Sequence, residues 1–180
     1  MPESIVLPEE TGTTFAANAR LKAQAVFHAL NGTVAVLADD SGLEVASLDG
    51  RPGVTSARFA GEGARDEDNV RRLLNELSGR PDRDARFVCC LCLVLPVSVS
   101  VRDRVDDNGR SCRLIEVAGF THGTVTEVPR GTDGFGYDPV FQPDGWESTL
   151  AEASPEDKDG VSHRGAAARS LLQRLASEGA

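Results

Sequence analysis

The chain has 180 residues, of which 19 are basic and 28 acidic, so its formal net charge at pH 7 is −9. This balance excludes a general nucleic-acid coat, because such a protein needs a basic face that releases counterions. The hydrophobic fraction of 40% is typical of a folded chain. No apolar run approaches the ~20 residues of a membrane-spanning helix, and the N-terminus lacks the pattern of a signal peptide. We therefore expect a single cytoplasmic domain over residues 1–180 that binds neither nucleic acid nor membranes.

The first predicted helix begins near residue 15. Thr13 or Thr14 can cap its first turn, and Asn31-Gly32 can end it because both residues tolerate the left-handed conformation. Its apolar residues follow helical spacing: Phe15, Ala19, Ala23, Val26 and Leu30. A short buried strand is predicted next, from Val34 to Ala38. A polar turn, Asp39-Asp40-Ser41-Gly42, is expected to separate it from a second strand over residues 43–48.

The middle of the chain predicts a loop, a helix and several strands. Residues 49–65 are rich in glycine and proline, which predicts a loop, and Asp66 can cap the helix that follows. The apolar run from Phe87 to Leu95 is typical of a strand buried on both faces. Further strands are predicted over residues 97–101, 113–118, 124–128 and 140–141, with a hairpin turn at Asp106-Asp107-Asn108-Gly109.

The tail of the chain predicts two helices. Ser154-Pro155-Glu156 combines a cap, a proline in the first turn and an early acid. Ser162 can cap the last helix, whose apolar residues are expected to face the core: Ala168, Leu171, Leu172 and Leu175. Because helices and strands mix throughout the chain, the sequence predicts a layered α/β fold.

Two acidic pairs are candidates for chemistry. Glu9-Glu10 precedes the first helix, and Asp39-Asp40 follows a predicted buried strand, where ligands bind in open α/β sheets. Mg²⁺ is usually held by one or two carboxylates together with substrate phosphates, and a carboxylate beside such a metal can accept a proton from water. As isolated pairs, however, both are explained more simply as solvated turns, where acidic residues are common.

A glycine-rich loop spans Gly131 to Pro139. Its three glycines allow the backbone to approach a ligand closely, and Phe135 and Tyr137 offer faces on which a base can stack. A tight structural loop with buried aromatic residues explains the same pattern equally well.

Lys158, His163 and Arg164 form a third candidate group near a predicted helix start. Such residues can hold phosphate and read a base edge, with help from the helix dipole. A serine hydrolase built on Ser162 and His163 is the alternative, but the sequence has no G-x-S-x-G elbow to support it.

In order along the chain, these motifs resemble those of the inosine triphosphatase family, the pyrophosphatases of non-standard purine nucleoside triphosphates. The resemblance covers nearly the whole chain, and five motifs in the same order are far more specific than any one alone. The matching stretches are Glu9–Phe15 with Asn18-Ala19 and Lys22, Ala38–Leu43, Pro52–Gly61, Gly134–Pro139 and Ser162–Gly165.

The resemblance implies a Mg²⁺-dependent homodimeric enzyme with a mixed twisted sheet flanked by helices. It would cut ITP, dITP and XTP between the α- and β-phosphates, releasing the monophosphate and pyrophosphate and so cleansing the nucleotide pool. Asp40 would be the general base, and Asp39, Asp40 and Glu10 (or Glu9) would bind Mg²⁺. The residues implied to contact the substrate are Lys22, Ser41, Phe135, Gly136, Tyr137, Asp138, Lys158, His163 and Arg164.

The same resemblance implies how the base is selected. His163 and Arg164 would donate hydrogen bonds to the 6-oxo group of hypoxanthine or xanthine. The 6-amino group of adenine would meet these donors with a donor of its own. A polar site that leaves such partners unpaired can reject the wrong substrate by ~10⁴.

Two departures from the family pattern lead to an alternative. The family's opening strand, its Ser/Thr-Gly-Asn-x-x-Lys loop and the following helix have no counterpart in the sequence, and Phe15-Ala16-Ala17-Asn18 replaces Phe-x-Glu-Asn. Because the missing loop grips the triphosphate in the family, we expect severely reduced activity. The alternative is a catalytically impaired, nucleotide-binding relic. The retention of Glu10, Asp39 and Asp40 argues against it.

Overall fold

The computed structural model describes residues 5–97 and 112–178. In chain order, the α-helices are α1 (Phe15–Ala29), α2 (Asp66–Glu76), α3 (Pro155–Val161) and α4 (His163–Glu178). The strands are β1 (Val36–Val45), β2 (Asp84–Pro96), β3 (Cys112–Val125) and β4 (Phe141–Pro143). Three short 3₁₀ helices cover Ala46–Leu48, Gly53–Arg58 and Asp138–Val140. No helix in the described residues is long and apolar enough to cross a membrane.

The strands form one four-stranded antiparallel sheet in the order β1-β2-β3-β4. Strand β4 pairs with the end of β3, from Gly123 opposite Pro143 to Val125 opposite Phe141. Gly123 is required there, because a Cβ atom would lie 2.9 Å from Pro143 Cα. The prediction of an α/β fold with a sheet and flanking helices is confirmed.

The chain divides into two compact units, and the points of division fall inside β1, β2, β3 and α4. The first unit comprises residues 1–40, 90–118 and 167–180, and the second comprises residues 41–89 and 119–166. The prediction of a single domain over residues 1–180 stays a prediction.

Each unit has its own apolar core. In the first unit, Ala19, Ala23 and Phe27 of α1 pack with Val36 of β1 and with Cys92, Val94 and Cys112 of β2 and β3. The α1 residues recur every four positions, so they share one face of the helix. In the second unit, the core contains α2 residues together with strand and loop residues: Leu43, Val45, Leu48, Val70, Leu73, Leu77, Phe87, Tyr137, Val140 and Phe141.

Helix boundaries follow the predicted caps in most places. Thr14 caps α1 by accepting a hydrogen bond from the backbone N–H of Ala17, and Ser154 caps α3 in the same way with Asp157. Asp66, however, is the first residue of α2, and its carboxylate does not cap that helix. The predicted inner face of α4 is also partly wrong. Leu171 is buried, but Leu172 is 67% exposed.

The strands are longer than the sequence predicts. Asp39-Asp40-Ser41-Gly42 is not a turn, because β1 runs without a break from Val36 to Val45. The reason is that Leu43 and Val45 belong to the core, so burial outweighs the turn preference of Asp, Ser and Gly. Likewise, the strands predicted at 113–118 and 124–128 are one strand, which ends at Val125. The hairpin turn at Asp106–Gly109 and most of the strand predicted at 97–101 lie outside the described residues.

Candidate active site

A polar cluster in the first unit is centred on Lys22, and we call its four residues (Glu10, Asn18, Lys22 and Asp40) the Lys22 cluster. The Lys22 ammonium donates to Glu10 Oε1 and to Asp40 Oδ1, both at 2.9 Å. Asn18 and Lys22 lie four residues apart on α1 and therefore share a face, while Asp40 comes from β1. Two carboxylates thus face one cation in a largely buried position.

Asn18 orients the Asp40 carboxylate. It is fully buried, and its Nδ2 donates to Asp40 Oδ2 at 3.1 Å while its Oδ1 accepts from the Gly12 backbone N–H at 2.8 Å. Gly12 has no room for a side chain, because a Cβ would come within 2.5 Å of Asn18 Oδ1. Both oxygens of Asp40 therefore accept hydrogen bonds from fixed donors.

The environment of Asp40 raises the pKa of its carboxyl group. Burial, which disfavours the charged form, is the largest cause, and the negative charge of Glu10 acts in the same direction. Hydrogen bonds from Lys22 and Asn18 oppose this shift without cancelling it. For Lys22, burial alone would lower the pKa of the ammonium, but its two carboxylate partners outweigh burial and raise it. Asp40 is therefore a carboxylate whose proton affinity is higher than usual.

The Lys22 cluster contains two carboxylates, Glu10 and Asp40, of the kind that a divalent cation takes as ligands. Glu10 and Asp40 already hold one positive charge between them, and Mg²⁺ is usually bound by one or two carboxylates plus waters and substrate phosphates. Among the described residues, no group of three or more His, Cys, Asp or Glu residues could hold a metal ion. Asp39 is the strand neighbour of Asp40, so its side chain points to the opposite face of β1.

A cavity of about 340 Å³ lies in the second unit, and we call it the aromatic pocket. Its lining includes eight of the nine substrate-contacting residues that the family resemblance implies: Ser41, Phe135, Gly136, Tyr137, Asp138, Lys158, His163 and Arg164. Lys22 is the ninth, and it belongs to the Lys22 cluster instead. The pocket also includes residues for which the sequence predicted no contact with the substrate, among them Ser56, Asp66, Asn69 and Phe87.

Aromatic rings and cations form the walls of this pocket. The buried His163 ring stacks on Phe87, with centroids 4.8 Å apart and planes 11° apart. Phe135 as a residue is 58% exposed, and the Lys158 ammonium and the Arg164 guanidinium lie 5.1 and 5.3 Å from the centroid of its ring. Flat apolar faces beside hydrogen-bond donors are suited to a planar heterocycle that carries acceptors.

Asp138 holds both Lys158 and the glycine-rich loop. Its Oδ2 accepts from Lys158 Nζ at 2.5 Å and from the backbone N–H of Phe135 at 2.9 Å. Gly134 has a left-handed φ of +83°, and a Cβ at that position would collide with the Asp138 carboxylate. Asp138 therefore fixes the Gly134-Phe135 part of the motif together with Lys158.

Tyr137 differs from Phe135 in its surroundings. It is only 4% exposed and belongs to the core of the second unit, and its hydroxyl donates to the Ser56 backbone carbonyl at 2.9 Å. Burial strongly raises the pKa of this hydroxyl. Of the two aromatic residues that the sequence offered for base stacking, Phe135 has the exposed face.

The family model described as the Ham1 family matches residues 2–174. This chain belongs to the Ham1 family. The match covers the Lys22 cluster and every residue of the aromatic pocket, and it agrees with the family resemblance seen in the motifs.

Two curated relatives of this Ham1-family chain are named as dITP/XTP pyrophosphatases. It is 44% identical over 170 residues to a dITP/XTP pyrophosphatase of Staphylococcus epidermidis, covering 94% of this chain and 79% of the relative. It is 48% identical over 163 residues to a dITP/XTP pyrophosphatase of an Exiguobacterium species, covering 91% of this chain and 75% of the relative.

Solved structures agree with the fold of this Ham1-family chain. The Staphylococcus aureus Ham1 protein matches with a TM-score of 0.84 at 39% identity, covering 97% of this chain and 82% of that one. A nucleoside-triphosphatase (dITP/XTP pyrophosphatase) of Mycobacterium abscessus matches with a TM-score of 0.73 at 41% identity, covering 97% of this chain and 81% of that one.

Sequence reasoning missed the roles of two polar residues. Asn18 gave a weak signal, since it is a polar residue beside the apolar residues Phe15 and Ala19 in a helix. No signal in the sequence indicated the role of Asp66 beyond its place at a helix start. Its Oδ2 accepts from the backbone N–H of Gly136 at 2.6 Å, across 70 residues of sequence.

Proposed function

We propose that this chain hydrolyses dITP, ITP and XTP to the nucleoside monophosphate and pyrophosphate. The observation that carries the proposal is the lining of the aromatic pocket by eight residues of the purine-binding motifs, in a chain whose curated relatives are dITP/XTP pyrophosphatases. The reaction adds one water across a phosphoanhydride bond, and the removal of these nucleotides cleanses the nucleotide pool. Nothing in the comparisons favours the alternative of an impaired relic.

In this proposal, Asp40 is the general base. Its carboxylate takes a proton from the attacking water, and its raised pKa suits it to that role. Asn18 and Lys22 hold both carboxylate oxygens in place, so little reorganisation is needed when the proton moves. Removing the carboxylate charge by Asp40→Asn then removes the base and leaves the shape of the residue unchanged.

Glu10 and Asp40 would hold Mg²⁺. The family resemblance also implies Asp39, but its side chain lies on the opposite face of β1 from Asp40. The ion, when bound, neutralises phosphate charge and polarises the phosphoryl group. Lys22 already provides a positive charge between the two carboxylates. We propose that it contacts the phosphates of the substrate, which the family resemblance also implies.

The aromatic pocket would select the base. Phe135 offers an exposed face for stacking, and the adjacent His163 and Arg164 can donate hydrogen bonds to an oxygen at position 6 of the purine. Adenine has a donor at this position, so its binding leaves two donors unpaired. Asp138 would fix Lys158 at the rim of the pocket, where an anionic substrate needs a cation.

The proposal extends to a homodimer in the cytoplasm with no nucleic-acid partner. The dimer and the location rest on the family resemblance and on the substrate, which is a component of the nucleotide pool. The exclusion of nucleic acid rests on the net charge of −9. Light scattering on the purified chain tests the dimer directly.

Pyrophosphate release from ITP, dITP, XTP, GTP and ATP, with and without Mg²⁺, tests the proposed function. We expect turnover of the first three with Mg²⁺, much slower turnover of ATP, and loss of turnover in EDTA. Release of inorganic phosphate alone, or equal rates with ATP and ITP, would contradict the proposal.

A further inference from the structure

We propose that Asp66 is a positioning residue for base binding, because it holds the glycine-rich loop that carries Phe135. The Asp66 carboxylate accepts the backbone N–H of Gly136 at 2.6 Å. Neither the family motifs nor the comparisons give this residue a role. The expected change in KM rests on the proposed function, whereas the hydrogen bond that holds the loop does not.

The loop segment from Gly134 to Gly136 lacks the burial that holds the neighbouring Tyr137 and Asp138. Gly134 and Gly136 both have left-handed φ angles, of +83° and +60°, and glycine is the residue with most conformational freedom to lose. Phe135, which lies between them, has an exposed ring and therefore gains little from packing. The position of its ring depends on the backbone hydrogen bonds on either side.

Two carboxylates supply those hydrogen bonds, and they come from different parts of the chain. Asp138, which is buried, accepts the N–H of Phe135 from only three residues away along the same loop. Asp66 accepts the next N–H, that of Gly136, from the first turn of α2. Since α2 packs into the core of the second unit through Val70 and Leu73, Asp66 ties the loop to a fixed element.

The two residues of the Asp66–Gly136 hydrogen bond line two cavities of the second unit. The aromatic pocket and a second cavity of about 490 Å³ are both lined by Asp66, Phe135 and Gly136. The Asp66–Gly136 hydrogen bond therefore lies at an exposed part of the loop, where packing contributes little. Without Asp66, the Phe135 ring would lose its fixed place beside Lys158 and Arg164.

The kinetic test compares Asp66→Ala with Asp66→Asn. Asn retains an oxygen that accepts the Gly136 N–H, whereas Ala has none. We expect Asp66→Ala to raise the KM for ITP about tenfold with kcat within about twofold, because ground-state and transition-state binding are lost together. Asp66→Asn should stay within about threefold of the wild-type KM.

Glu67→Gln is the matched control, since Glu67 lies in the same first turn with the same charge near the same helix end. Glu67→Gln should leave KM unchanged.

A second variant, Asp66→Ser, covers the case in which Asp66→Ala does not fold. Serine is a good residue for a helix start but is too short to reach Gly136. An unchanged KM in both Ala and Ser variants would overturn the inference. Equal damage from Asn and Ala would also overturn it, because that pattern indicates helix electrostatics.

A readout without substrate separates this inference from the proposed function. Exchange of the Gly136 amide hydrogen, followed by NMR, should be at least about tenfold faster in Asp66→Ala than in wild type and unchanged in Asp66→Asn. If the wild-type chain fails to hydrolyse ITP, the proposed function is wrong, and Gly136 exchange still decides the role of Asp66. Equal protection of Gly136 in wild type and Asp66→Ala would overturn that role.

Discussion

The Lys22 cluster and the aromatic pocket differ in what surrounds their charged groups. In the Lys22 cluster, the oxygens of Asp40 are held by donors on a buried helix face, at 2.9 and 3.1 Å. In the aromatic pocket, the cations of Lys158 and Arg164 lie beside an exposed ring, at 5.1 and 5.3 Å from its centroid. The first arrangement fixes one carboxylate, and the second leaves an open face for a ligand. On this difference rests our proposal that the Lys22 cluster supplies the chemistry and the aromatic pocket selects the base.

The largest expected effect is that of Asp40→Asn. If the Lys22 cluster supplies the base, kcat for ITP should fall by about 10³ with KM changed far less. Asp84→Asn is the control, since Asp84 is an exposed aspartate at the start of a strand. Steady-state pyrophosphate release measures both variants. A kcat for Asp40→Asn within tenfold of wild type would remove Asp40 from the chemistry.

The next effect is on base selection. Arg164→Ala should lower kcat/KM for ITP by about 10² and bring it closer to that for ATP, because one donor to the 6-oxo group is lost. Arg169→Ala removes an exposed arginine from the same helix and serves as the control. The ratio of kcat/KM for the two nucleotides is the measurement. An unchanged ratio would mean that Arg164 does not read the base.

A smaller effect is expected on stability. Asn18→Ala removes the acceptor of the Gly12 N–H and the donor to Asp40 Oδ2, so the free energy of unfolding should fall by about 2 kcal/mol. Asn75→Ala, at an exposed position of α2, should change it by less than about 0.5 kcal/mol. Urea denaturation measures both. Equal effects would mean that the Lys22 cluster is not held by Asn18.

The smallest effect concerns the buried side of the aromatic pocket. Tyr137→Phe removes the hydrogen bond to the Ser56 carbonyl and should lower the free energy of unfolding by about 1 kcal/mol. Urea denaturation is again the measurement. A loss below about 0.3 kcal/mol would show that this hydroxyl does not help to hold the pocket.

Local signals predicted most helices and the buried strand of this chain. Thr14 and Ser154 cap helices as their residue types suggest, and the apolar run that becomes β2 is central in the sheet. The prediction of a turn at Asp39–Gly42 was wrong, because the core residues on either side keep the strand extended. Turn preference is local, whereas burial depends on the whole fold.

The residues of the candidate site that belong to sequence motifs could be predicted, whereas residues that join the site through a single long-range contact could not. Ordered motifs indicated Asp40 and eight residues of the aromatic pocket. The bond from Gly136 to Asp66 joins residues 70 apart, and neither residue type is unusual in its own place. Such a contact follows from packing, which no local pattern encodes.

The separation of chemistry from base binding is tested most directly by one comparison on Asp40→Asn. Its affinity for inosine monophosphate, measured by calorimetry, and its turnover of ITP should be determined on the same preparation. We predict a Kd within about threefold of wild type together with a loss of turnover of about 10³. Loss of inosine monophosphate binding in step with turnover, or retention of turnover, would contradict the account.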